Sequence, residues 1–247
     1  MKNELTLIIS YRQRQLGFYS FYNWFTSLHF GLKNIVKIIF IESDTQPTLA
    51  IQEKIEKIGA SYFFVQNNGV FHKTALLNHG LNLVDTKYLM AYDIDLIPHN
   101  NSLFTHLEIA KKSSFFLVTG YRLMVQQPLV DNKNDLNFIV EQSAIAPEDQ
   151  PSALKKHLTS HERFGVLPLF RTEELQKIGG WDENFIGWGG EDQDIIQRYC
   201  NEGYHLCRVP DLVYLHLNHH HNPDWYSPDI VNKNREYYYR KYKNNDS

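Results

Sequence analysis

The sequence predicts an α/β fold built on a mainly parallel sheet with helices on both faces, and three observations support it. Short, continuously apolar runs recur along the N-terminal part of the chain, amphipathic stretches at helical spacing separate them, and the connections between the two kinds are short. Runs that are apolar throughout mark strands buried on both faces, as crossover helices on a parallel sheet require. With 247 residues, 43% of them hydrophobic, the chain can bury the core of one large domain.

The first strand is Leu5 to Ser10, and it runs into the polar cluster Ser10-Tyr11-Arg12. Strand ends of this kind are where open α/β sheets bind ligands. Leu16, Tyr19, Tyr22, Phe25 and Leu28 recur at every third position, which makes Gln15 to Leu28 an amphipathic helix. Ile35 to Ile41 is the second strand and ends in Glu42-Ser43-Asp44. A helix from Pro47 to Ile58, a strand from Ser61 to Val65, a helix from Lys73 to Val84 and a strand from Tyr88 to Tyr92 complete a βαβαβαβ series. Past Pro98 come a helix near Leu103 to Lys111 and a strand near Phe115 to Thr119. Gln126 to Glu162 then reads as a polar, loop-rich insertion with one or two short helices, and loops of that length often serve as lids. Val166 to Phe170 is a further strand, and Thr172 to Ile178 a short helix closed by Gly179-Gly180. A helix from Glu191 to about Asn201, a strand holding Cys207 and a tyrosine-rich surface helix from Pro228 to Tyr242, with Tyr237, Tyr238 and Tyr239 partly packed, finish the chain. No repeat and no clean boundary divides 1–247, which therefore reads as a single domain.

Composition excludes several classes of function. The net charge is −3 with both signs interspersed, so there is no basic stripe and nucleic acid is not an expected partner. Cys200 and Cys207 form no CxxC pair, which argues against a zinc ribbon or a disulfide scaffold and fits a reducing compartment. No apolar run reaches the ~18 residues of a membrane span, and Met1-Lys2-Asn3-Glu4 lacks the apolar core of a signal peptide. A cytoplasmic place, with peripheral attachment at the inner face of the membrane allowed, is the expectation; oligomeric state is not legible.

Three segments carry candidate chemistry. In Gly187-Trp188-Gly189-Gly190-Glu191-Asp192-Gln193-Asp194 the glycines permit positive φ and close ligand approach, Trp188 offers a flat face for a sugar ring, and Asp192 and Asp194 occupy the first helical turn, where the helix dipole favours carboxylates. A plain glycine turn before an acidic helix N-terminus has the same pattern. Asp93 and Asp95 end the fourth strand one residue apart, so in extended chain they point the same way and could hold a hard divalent cation bridging the phosphates of a nucleotide. An Asx-type turn is the alternative there. His216 shares a face with Tyr214 and Asn218 and is a candidate third metal ligand, whereas His219 to His221 read as a solvated turn, with metal binding by one of them as the alternative.

Together these residues resemble a known family. Gly187 to Asp194 is similar to the WGGED signature of the beta-1,4-galactosyltransferase family and its relatives among bacterial capsule and lipopolysaccharide glycosyltransferases. Phe71-His72-Lys73-Thr74-Ala75-Leu76-Leu77-Asn78-His79-Gly80 resembles the family's F-N-R-A-K-L-L-N-x-G segment, and Ser10-Tyr11-Arg12 lies where the family has its P-x-R nucleotide loop. The resemblance runs from Leu5 to about His216, apart from Gln126 to Glu162, and implies a GT-A fold, with a nucleotide-binding half over 1–98 and an acceptor-binding half over 99–247 that includes the 126–162 insertion.

That resemblance also implies roles. Asp95 and His216, with Asp93 beside them, would hold manganese, magnesium being the other candidate, and Asp93 would also contact the ribose or donor sugar. Asp192 would be the general base; Trp188, Gly190 and Glu191 would hold the acceptor. Ser10, Tyr11, Arg12, Glu42, Phe71, Lys73, Asn78, Asp93, Trp188 and Gly189 would line the nucleotide-sugar site. Two departures stand out: Lys73 replaces an arginine, leaving a point charge where a bidentate fork would be, and Ser10 replaces a proline. The implied reaction is inverting, metal-dependent transfer of galactose or N-acetylgalactosamine from a UDP-sugar to a glycan or lipid-linked glycan. A retaining transferase, a nucleotidyltransferase of the same fold and a non-catalytic lectin-like module are the alternatives.

Overall fold

The computed structural model describes residues 3–126, 139–146, 150, 162–219 and 226–243. The strands are β1 (Leu5–Tyr11), β2 (Val36–Asp44), β3 (Ser61–Gln66), β4 (Tyr88–Ala91), β5 (Leu96–Pro98), β6 (Phe116–Gln126), β7 (Ile139–Ile145), β8 (Val166–Arg171) and β9 (His205–Leu217). The helices, among the described residues, are α1 (Gln15–Ser27), α2 (Phe30–Lys33), α3 (Leu49–Lys57), α4 (Lys73–Leu81), α5 (Ser102–Lys112), α6 (Thr172–Lys177), α7 (Glu191–Asn201) and α8 (Pro228–Lys243).

The nine strands among the described residues join one sheet in the order β3-β2-β1-β4-β8-β6-β9-β5, with β7 paired to β6. The α/β class is as expected, and β3, β2, β1 and β4 are mutually parallel. Beyond β4 the sheet is mixed: β8 runs antiparallel to both β4 and β6, β9 is parallel to β6, and β5 is antiparallel to β9. Alternate residues of β1 feed two apolar layers. Leu5, Leu7 and Ile9 pack with Phe18 and Phe21 of α1, Ile55 of α3 and Leu103 of α5, while Ile8 packs with Leu76 and Leu77 of α4 and Ile195 of α7. Each such fully buried side chain contributes roughly 1.5–3 kcal/mol of transfer free energy, so both helical layers are pinned to the sheet.

Two strands were not foreseen. β5 is too short for a periodic pattern, and β7 falls inside the 126–162 stretch expected to be loop-rich, the greater part of which, short helices and lid included, lies outside the described residues. The strand expected to end at Thr119 continues to Gln126. Its register on β9 shifts between Thr119 and Tyr121, where a Cβ on Gly120 would lie 2.5 Å from the Leu212 carbonyl oxygen. Glycine at a close backbone approach inside a bulge looks like a turn in sequence.

Candidate active site

Asp93 and Asp95 lie in the turn between β4 and β5, which the Leu96 amide closes by donating to the Asp93 carbonyl at 3.0 Å. The expectation that both carboxylates point one way therefore fails: β4 ends at Ala91, and two-residue alternation does not extend into a turn. The Asp93 Oδ1 lies 3.2 Å from Lys73 Nζ, while Asp95 faces the end of β9. Strand register sets that second contact. Leu96 is paired with His216, and the Leu217 amide donates to the Asp95 carbonyl at 2.9 Å. His216 Nε2 then stands 3.7 Å from Asp95 Oδ1, and His219 Nε2 stands 2.9 Å from Asp95 Oδ2.

One ligand atom each from Asp95, His216 and His219 can be grouped within 4.8 Å of one another. His219, read from sequence as part of a solvated turn, thus joins the cluster; its three-residue spacing from His216 was the available signal. Burial lowers His216 to about 4, against the opposing pull of Asp95, so its imidazole is neutral near pH 7 as a metal ligand must be. Burial alone would raise Asp95, but the hydrogen bond from His219 and the charges of His216, His219 and Arg14 outweigh it and hold the carboxyl below the usual range.

The glycine-rich turn builds the other end of the site. Gly187, Gly189 and Gly190 have φ of 77°, 106° and 87°, and Gly190 is the N-cap of α7. Glu191 folds back so that its Oε2 accepts from the Gly189 amide at 3.0 Å, which buries it; the next carboxylate, Asp192, is exposed over 54% of its side chain and faces the cleft. Lys73, at the start of α4, lies 3.2 Å from Asp93, 3.4 Å from Glu191 and 3.5 Å from Asp192. Arg122 also interacts with Asp93 and Asp192. Burial and the charge of Asp192 push Glu191 up to about 7 despite Lys73, and burial with Asp192 and Asp95 also raises Asp93.

Asp194, in the same first helical turn as Asp192, does not line the pocket. It is buried and accepts from Arg198 Nε at 2.8 Å, Tyr242 OH at 2.6 Å and, as an ion pair, Lys241 Nζ at 2.7 Å. The helix expected at the surface is therefore a latch on the turn. From α8, Asn234 Nδ2 donates to the carbonyls of Ile186 and Trp188 at 2.9 and 3.0 Å, and Tyr237 OH donates to Asp182 at 2.8 Å.

The two ends open into one cleft of about 750 Å³. Of the residues predicted from sequence, Ser10, Arg12, Phe71, Lys73, Asp93, Asp95, Trp188, Gly189, Gly190, Glu191, Asp192 and His216 line it. Trp188 meets Tyr226 edge to face, centroids 5.1 Å apart. Three predicted residues do not line it. Tyr11 alternates with Ser10 and Arg12 along β1 and so turns into the core, its ring 5.2 Å from that of Phe40. Glu42 is buried and accepts from the Thr48 amide and hydroxyl and from Tyr62 OH. Asn78 brackets Trp181, donating to its carbonyl and accepting from its amide, both at 2.8 Å. Arg12 itself is largely spent on structure, donating to the carbonyls of Ser43, Gly69 and Asn67. Sequence reasoning missed Arg14, Arg122, Arg235, Tyr238 and Tyr239 among the lining residues. Arg14 was recoverable, two residues past Arg12; the others depend on tertiary packing.

A family model described as the N-terminal domain of galactosyltransferase matches residues 150–221. Beta-1,4-galactosyltransferase 6 of Mus musculus is 40% identical over 62 residues, 24% of this chain and 16% of that protein. Human chondroitin sulfate N-acetylgalactosaminyltransferase 1 is 24% identical over 195 residues, 76% of this chain and 35% of that protein. The chain thus spans only a minor part of the length of these relatives. Among solved structures, GalNAc-T7 with UDP, GalNAc and Mn2+ superposes with a TM-score of 0.62 at 15% identity, covering 97% of this chain and 48% of that one. The mannosyltransferase PcManGT from Pyrobaculum calidifontis, in complex with GDP-Man and Mn2+, gives 0.54 at 15% identity, covering 87% and 57%. The chain has the GT-A glycosyltransferase fold and resembles the beta-1,4-galactosyltransferases.

Proposed function

We propose that the protein is an inverting, metal-dependent glycosyltransferase that moves galactose or N-acetylgalactosamine from a UDP-sugar to a hydroxyl of a glycan or lipid-linked glycan, in the cytoplasm, within polysaccharide or lipopolysaccharide synthesis. One observation carries this reading: a metal-type donor set, Asp95 with His216 and His219, and an exposed carboxylate, Asp192, face the same cleft. The nucleotide and Mn2+ named with GalNAc-T7 and PcManGT support it.

One carboxylate and two imidazoles fit manganese better than magnesium, which favours an all-oxygen shell. A divalent cation bound there would neutralise charge on a departing diphosphate. The chain's own groups supply the rest. Asp192 takes the proton of the acceptor hydroxyl while that oxygen bonds to the anomeric carbon; the bond from that carbon to the diphosphate oxygen breaks, and its electron pair leaves on the nucleotide. Attack and departure on opposite faces invert the anomeric centre. Lys73, 3.5 Å from Asp192, orients the base, and Trp188 supplies a face for the acceptor ring.

Calorimetric titration of UDP with and without Mn2+ tests the donor site, alongside Asp95→Ala. UDP binding should require the metal and weaken roughly tenfold or more in the variant. Equal affinity in the variant would remove Asp95 from the metal site, and no UDP binding under any condition would overturn the donor assignment. NMR of the product anomer then separates inversion from retention.

A further inference from the structure

The acceptor end of the cleft is walled by α8, and that wall carries a cation. Val231, Arg235, Tyr238 and Tyr239 line the same cleft as Trp188 and Asp192. Their placement is fixed by the latch that the same helix makes, where Asn234, Tyr237, Lys241 and Tyr242 bind the glycine-rich turn, Asp182 and Asp194. Arg235 is exposed, and its guanidinium carbon lies 5.5 Å from the centroid of the Tyr239 ring. A guanidinium rested on an aromatic face keeps its planar fork ordered and available to a second partner.

No carboxylate among the described residues lies within ion-pair distance of Arg235. Glu162, which lines the same cleft, is already engaged: its Oε1 accepts from Tyr239 OH at 2.5 Å and its Oε2 from Gln193 Nε2 at 3.5 Å. By contrast, Lys73, a cation beside Asp192, is saturated with three carboxylates. The geometry points to Arg235 as a specificity residue that recognises an anionic group, carboxylate or phosphate, on the acceptor sugar. This rests on the transferase reading above, since it names the acceptor class for that same cleft. A planar fork meeting a carboxylate or phosphate can bond it in two places, and Trp188 and Tyr226 are at hand for the ring that carries the anion.

Three probes built on one sugar test it: methyl β-glucoside, the corresponding glucuronide and the corresponding 6-phosphate. Each is titrated by saturation-transfer NMR into the UDP- and Mn2+-loaded protein and into Arg235→Gln, with Arg235→Lys as a second variant that keeps charge but not the fork. One or both anionic probes should bind about tenfold tighter than the glucoside, and Arg235→Gln should remove that preference. A preference for the glucuronide identifies a uronate acceptor and one for the phosphate a phosphorylated acceptor. Parity among the three probes, detectable binding of none, or a preference that survives in Arg235→Gln overturns the inference. UDP affinity is the control: if it is intact while the anionic preference is missing, only this inference fails, whereas loss of UDP binding in the wild type fails the transferase reading itself.

Discussion

The two ends of the cleft are built by different means. At the metal end, side chains are positioned by strand register: pairing of Leu96 with His216 and the Leu217 amide on Asp95 bring an aspartate and a histidine together across 121 positions of sequence. At the acceptor end, position comes from backbone conformation, in three glycines with positive φ and a helix latched behind them. Register is held by many backbone hydrogen bonds and tolerates loss of any one side chain. A glycine turn has no such redundancy, so damage there should reach further.

The sharpest way to separate the ends is to remove one functional group from each. Asp192→Asn should lower kcat by roughly 10²- to 10⁴-fold, the usual worth of a general base, and leave metal-dependent UDP affinity unchanged. His219→Ala should do the converse to binding, weakening metal-dependent UDP affinity. Steady-state kinetics with UDP-sugar and calorimetry with UDP check the pair; a kcat defect in Asp192→Asn that vanished, or one matched by equal loss of UDP affinity, would remove it from the role of base.

Legibility in sequence follows the same division. Local pattern revealed the parallel half of the fold, because buried strands and amphipathic helices carry their own periodicity, and it revealed the glycine turn because φ requirements act on single residues. It aimed Asp93 and Asp95 the same way, which a turn does not allow, and it ranked His219 below His216 because only its three-residue spacing, just past the end of β9, hinted that it reaches Asp95. Asp194 marks a related limit. A first-turn carboxylate can serve a ligand or a latch, and only the packing of α8, which brings Lys241 and Tyr242 to it, decides which. Glu42 and Asn78 show the same limit: polar residues at strand ends and on helices satisfy buried backbone as readily as they bind nucleotides.

The glycines of the acceptor end can be graded against each other. Gly190 has φ +87°, and a Cβ there would lie 2.7 Å from Cε1 of Phe185, a buried ring packed edge to face on Tyr237. Gly189 has φ +106° but nothing within 4 Å of an added Cβ. Gly190→Ala therefore combines backbone strain with a clash and should cost about 2–4 kcal/mol, whereas Gly189→Ala bears strain alone, about 1–2 kcal/mol. Thermal unfolding would show Gly190→Ala with the larger fall in Tm. Equal falls would mean that Phe185 yields, and that the latch behind the turn is softer than its hydrogen bonds indicate.

The smallest effect expected is one of pH, and it bears on why Glu191 is buried beside Asp192. Burial and the charge of Asp192 raise Glu191 from 4.5 to about 7, so the folded chain binds this proton more tightly than the unfolded one. Its contribution to stability is then fully present below about 4.5 and is lost as pH rises through about 7, the reverse of an ordinary salt-bridged carboxylate. Glu191→Gln keeps an acceptor oxygen for the Gly189 amide but cannot ionise. Measured without metal or nucleotide, its Tm relative to wild type should rise between about pH 5 and about pH 8. An identical Tm difference at both ends would mean that Lys73 keeps Glu191 charged throughout. Asp192 would then share that ammonium with a second full negative charge, and the case for Asp192 as the base that Lys73 orients would lose its electrostatic footing.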